Sequence, residues 1–67
     1  MSVAKVVEIT ASFPKSFEAA VQAGLARATE TIDDVRGAWV NEMKVEVEDG
    51  KIREYRVNMR VSFVMKE

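Results

Sequence analysis

Thr31-Ile32-Asp33-Asp34-Val35-Arg36-Gly37, a strand bearing Trp39, the turn Glu48-Asp49-Gly50-Lys51 and a strand through Tyr55-Arg56-Val57 together decide the fold of this chain. Read in order, they give a helix end, a strand, a tight turn and a second strand. Asp-Gly between two apolar-alternating stretches is a strong hairpin signal. In the last strand Tyr55, Val57, Met59, Val61, Phe63 and Met65 form an apolar face, and Arg56, Asn58, Arg60 and Ser62 a polar one.

Upstream, Val3 to Thr10 carries Val3, Val6, Val7 and Ile9 and reads as a strand. Ala11 to Lys15 reads as a connector, with Pro14 ending the strand. Ser16 stands where a helix N-cap belongs, with Glu18 in the first turn. Phe17, Ala20, Val21, Gly24, Leu25, Ala28, Ile32 and Val35 then recur at helical spacing. They predict an amphipathic helix of nearly five turns ending at Gly37, with Glu18, Gln22, Arg27, Glu30 and Asp34 on its other face. Gly24 is expected at a close contact of this helix with the sheet or with a neighbouring subunit. The order is β-α-β-β, an α+β class, in one domain spanning residues 1–67, with the helix covering the apolar face.

The hairpin register follows from charge if Asp49-Gly50 closes a three-residue loop with Gly50 left-handed. Glu42 then opposes Arg56 and Lys44 opposes Glu54, both opposite-charge pairs. Trp39 meets Met59, Asn41 meets Val57, Met43 meets Tyr55 and Val45 meets Arg53. A two-residue loop would instead oppose Val45 with Glu54 and Met43 with Arg56, and is disfavoured on that ground.

At 67 residues, a lone core rarely supplies more than about 3–5 kcal/mol, so a staple or partners are needed. The chain has no Cys and no His, which excludes disulfides and the common zinc and copper ligands. Its 48% hydrophobic residues make a homo-oligomer the remaining route. A net charge of −1 with interspersed signs gives no nucleic-acid footprint. Residues Met1 to Lys5 lack the pattern of a signal peptide, and no apolar run reaches the roughly 20 residues of a membrane span. A soluble, cytoplasmic protein is expected. Without His or Cys the usual general base and thiolate nucleophile are missing, which argues against an enzyme.

Lys5-Val6-Val7-Glu8-Ile9, Ser16-Phe17-Glu18-Ala19-Ala20-Val21, Arg27-Ala28-Thr29-Glu30-Thr31, Glu48-Asp49-Gly50-Lys51 and Tyr55-Arg56-Val57 resemble a dodecin. The resemblance runs over essentially the whole chain. It implies three antiparallel strands in the order 1-3-2 wrapping one helix, and twelve subunits in a hollow shell with the sheets facing inward. It also implies storage or buffering of a small ligand, with FMN or riboflavin stacked on a tryptophan and gripped by a glutamine. In an ungapped alignment those two positions are Gly37 and Arg56, a pattern similar to the calcium dodecins.

The candidate ligand-binding residues are therefore Arg56, Trp39, Gly37 and Lys44. Trp39 either offers its ring to a ligand or packs against Met59 and the helix end; the register above puts it on the core side. Arg56 either grips an anion or pairs with Glu42. Glu42 and Glu46 are the candidate calcium or magnesium ligands, since such ions take oxygen donors; a solvated, charge-paired strand is the alternative. The methionines are expected to fill gaps in apolar packing. A flavin-free, metal-holding shell and a protein-interaction subunit are the other readings.

Overall fold

A computed structural model describes residues 2–65. Strand β1 (Ala4–Phe13) leads to helix α1 (Phe17–Thr29), followed by β2 (Val35–Glu48) and β3 (Lys51–Val64). The strands form one antiparallel sheet in the order β1-β3-β2. The β-α-β-β topology and strand order match the expectation. Strand β1 runs three residues further than Thr10 and stops at Phe13, immediately before Pro14. Met1 lies outside the described residues. Among those described, no helix is long and apolar enough to cross a membrane.

Ser16 caps α1: its Oγ accepts from the Ala19 N–H at 3.0 Å, and its own backbone is extended. The helix ends at Thr29, not at Gly37. Thr29, Thr31 and Ile32 are β-branched, and Asp33-Asp34 offer the backbone competing turn conformations. The N–H groups of Glu30 and Thr31 reach back only three residues, to Arg27 and Ala28. Asp34 then takes a left-handed φ of 59°, which Asp tolerates, and its carbonyl accepts from the Val64 N–H at 3.1 Å. That bond delivers the chain into β2. Val35 still packs against the core, as its spacing required, but from an extended backbone.

The core lies between α1 and the β1–β3 pair. Val57, Met59 and Val61 are fully buried beneath Ala20, with Val7, Ile9, Ala11, Phe17, Val21 and Leu25 packed around them. Each such large apolar side chain contributes about 1.5–3 kcal/mol on burial. Phe17 and Tyr55 meet edge to face, centroids 5.1 Å apart. Gly24 is the close approach anticipated: a Cβ there would sit 2.7 Å from Met59 Cε and 3.0 Å from Ala11 Cβ.

The helix packs on β1 and β3, so β2 extends beyond its cover. Val40 and Met43 are exposed, as are Val47 and Ile52 near the turn. The helix covers the centre of the apolar face of β3, as expected, and leaves that of β2 open. Of the methionines, Met59 fills the core, while Met43 and Met65 are exposed.

The hairpin closes through two residues, not three. Asp49 (φ 52°) and Gly50 (φ 74°) are both left-handed, and Glu48 faces Lys51 directly. This is the twist-compatible turn that Asp-Gly favours. The charge argument against it assumed one uninterrupted register, but the ladder shifts three times. The extra residues are Arg53 on β3 and Asn41 and Arg36 on β2. Consequently Lys44 opposes Arg56, Glu42 opposes Asn58, Glu46 opposes Glu54, Met43 opposes Val57 and Trp39 opposes Arg60. The predicted pairs Glu42–Arg56, Lys44–Glu54 and Trp39–Met59 do not form.

Candidate functional site

The sheet face away from α1 is built from alternate residues of all three strands. Cross-strand partners share a face, so the register places Val6, Glu8, Thr10 and Ser12 of β1 with Ser62, Arg60, Asn58 and Arg56 of β3. From β2 it adds Gly37, Trp39, Glu42, Lys44 and Glu46. All four ligand-binding candidates and both carboxylate candidates thus lie on one polar face.

Trp39 is the principal correction. The bulge at Asn41 cancels that at Arg53 and the register of the turn returns, so that Val40 faces the helix side opposite Met59 and Trp39 faces the polar side opposite Arg60. The indole belongs to no core cluster and is 60% exposed. Trp39, Val40, Asn41, Arg60 and Val6 line one concavity. Gly37 is extended and on the same face, two residues away; a Cβ there would meet nothing nearer than Ser62 Oγ at 3.7 Å, leaving room for a larger side chain.

Arg56 is engaged. Its guanidinium lies 3.1 Å from Glu46 Oε1, and its Nε donates to Ser12 Oγ at 3.0 Å. Lys44 reaches the same Glu46 oxygen at 3.7 Å. Glu46, a metal candidate, is therefore shared by two cations of its own chain. Arg53 lies 3.8 Å from Glu48, so the carboxylates near the turn are interleaved with positive charge. Glu42 is exposed opposite Asn58, and among the described residues it has no ion pair. Within the described residues of a single chain, no three acidic side chains gather closely enough to hold a metal ion.

At the centre of the face stands Asn58. Its Nδ2 donates to Glu8 Oε2 at 3.0 Å and to Thr10 Oγ1 at 3.2 Å, while its Oδ1 accepts from Asn41 Nδ2 at 3.0 Å. Arg60 touches Glu8 loosely, at 3.9 Å. Sequence reasoning missed Arg60 and Asn58 as site residues. Their signal was present in the polar alternation of β3, and the two-residue loop that the charge argument disfavoured sets Arg60 opposite Trp39. The apolar groove between α1 and β1, lined by Ile9, Ala11, Gly24 and Ile32 among others, carries little of this chemistry, Arg27 being its charged residue.

A profile of the dodecin family matches residues 3–66. A curated relative, the calcium dodecin of Mycobacterium tuberculosis, is 42% identical over 67 residues, covering 98% of this chain and 93% of that protein. Its crystal structure, described as calcium-chelating with a calcium-binding site, superposes with a TM-score of 0.83 at 41% identity, over 97% of this chain and 93% of that one. A point variant of Thermus thermophilus dodecin superposes at 0.95 with 33% identity, both chains being covered in full. Fold, strand order and sequence agree over nearly the whole length, and the chain belongs to the dodecin family.

Proposed function

We propose that the chain is the subunit of a homo-oligomeric shell of twelve copies that binds and buffers a small planar ligand, flavin (FMN or riboflavin) being the first candidate. The protein acts by binding, not by catalysis. One observation carries the reading: a tryptophan 60% exposed on a predominantly polar sheet face, where no core contact accounts for it. A flat apolar ring presented among charged side chains suits a planar aromatic ligand, and ring–ring contact contributes about 0.5–1.5 kcal/mol beyond the area covered. Support for assembly comes from the exposed Val40, Met43, Val47 and Ile52 in a chain too small for a generous core.

A second reading is a shell that holds calcium or magnesium through Glu42 and Glu46 of several copies. It is favoured by the likeness to the calcium dodecin and by Glu42 having no ion pair among the described residues. Light scattering and an absorbance spectrum, with and without added riboflavin, test both. A mass near twelve times 7.5 kDa with flavin retained supports the first reading. An intact colourless shell whose melting rises with calcium supports the second. A stable monomer refutes both.

A further inference from the structure

The polar face carries two arginines of β3 whose circumstances differ. Arg56 is held at 3.1 Å by Glu46 and donates to Ser12, and its side chain is 43% exposed. An incoming anion must compete with a carboxylate already in place. Arg60 is 60% exposed and touches Glu8 only at 3.9 Å, a carboxylate whose other oxygen is taken by Asn58. Arg60 is also the direct cross-strand partner of Trp39. In such a pair the two Cβ atoms stand about 4.5–5.5 Å apart, and long side chains project together from the sheet. Val6, on the same face, adds apolar lining to their concavity, and Asn41 adds an amide. The pair thus presents a flat ring and a planar cation with spare donors to one occupant.

We propose that Trp39 and Arg60 form one recognition site for a planar aromatic ligand bearing an anionic group. The ring lies on Trp39, and Arg60, not Arg56, sets the preference for the anionic over the neutral form. The assignment rests on the reading of the polar face as ligand-binding and goes beyond it by naming the discriminating residue. Arginine suits the task because its fork meets a phosphate through two parallel donors.

FMN and riboflavin share a ring and differ by a phosphate, and Trp39 is the chain's single tryptophan, so its fluorescence reports occupancy. The intact oligomer is titrated with each at low salt, and equilibrium dialysis read by flavin absorbance checks the quenching. FMN should bind about tenfold more tightly than riboflavin, the scale of a charge-assisted contact weakened by exposure. Added salt should erase the difference. Arg60→Gln should bring FMN to the riboflavin level, the ratio of the two affinities being the readout. Arg56→Gln should keep the preference, and Trp39→Ala should weaken both ligands together. Equal affinities in the unmodified protein, or a preference abolished by Arg56→Gln and kept by Arg60→Gln, overturns the Arg60 assignment and leaves ligand binding standing. If neither flavin quenches Trp39 nor is retained on dialysis, the flavin reading and this inference fall together. Both arginines are solvent-exposed on a sheet surface, so their replacement leaves the core packing untouched.

Discussion

Replacing Gly24 by Ala sets two effects of known sign against each other. Inside a helix Ala is favoured over Gly by about 0.8–1 kcal/mol. Against this, the new methyl group would lie 2.7 Å from Met59 Cε and 3.0 Å from Ala11 Cβ. The Met59 terminus is flexible, but the side chain is fully buried, so swinging it aside displaces other core atoms; Ala11 can yield only with its strand. Overpacking of this kind costs about 1–3 kcal/mol. Taking about 2 kcal/mol for the clash and about 1 for the propensity gain, Gly24→Ala should destabilise by about 1 kcal/mol net. The reference is Ala26→Gly on the exposed face of the same helix, where the propensity loss acts alone. Urea unfolding followed by helical circular dichroism measures both, at one fixed protein concentration because association shifts apparent stability. Met59→Leu, which retracts the terminal methyl, should recover part of the loss when combined with Gly24→Ala. If Gly24→Ala instead raises stability by the helix-propensity amount, the helix and sheet are not in the close contact described.

Two further substitutions probe the hairpin and the ligand face. Gly50→Val places a β-branched residue at φ 74° and should destabilise by at least about 1–2 kcal/mol in the same urea assay; an unchanged midpoint would mean that the turn is not left-handed there. Gly37→Trp combined with Arg56→Gln introduces the stacking and gripping side chains that the family resemblance implies, at a position where a Cβ meets nothing nearer than 3.7 Å. It should tighten riboflavin binding about 30-fold to 1000-fold, the value of about 2–4 kcal/mol from ring contact and covered area; dialysis showing no gain would mean that more than these two positions separates this chain from a flavin binder.

What could be read from sequence followed the strength of the local signals. Ser16 and Pro14 marked real boundaries, and Asp49-Gly50 and the alternation of β3 gave the hairpin and its core face. The helix was drawn too long because Ile32 and Val35 continue its spacing although the chain has already left it; periodicity reports the side a residue packs on, not its backbone. Trp39 was misplaced because a one-residue slip transfers a side chain to the opposite face. The slip at Trp39 is that of the turn, because the bulges at Arg53 and Asn41 lie on opposite strands and cancel before Trp39 is reached; at Met43 and Val45, between the two bulges, they do not cancel. For Arg56 the sequence offers Glu42 as partner, whereas Glu46 holds it, being diagonal to it once Arg53 is bulged out. The polar alternation of β3 was thus legible, and what β2 sets beside it was not.

Asn58 has a consequence for the mechanics of the sheet. One amide on the central strand is latched to Glu8 and Thr10 of one edge and to Asn41 of the other. Sliding either edge strand by one residue breaks its share of that latch at once, so Asn58 acts as a pawl against shear in both directions. Its grip on the β2 side is the bulged residue itself, whose extra step turns the indole outward; its grip on the β1 side is the carboxylate beside Arg60. The aim of both the ring and the cation therefore depends on a side chain that lies between the buried Val57 and Met59 in sequence and on the opposite face of the sheet from them.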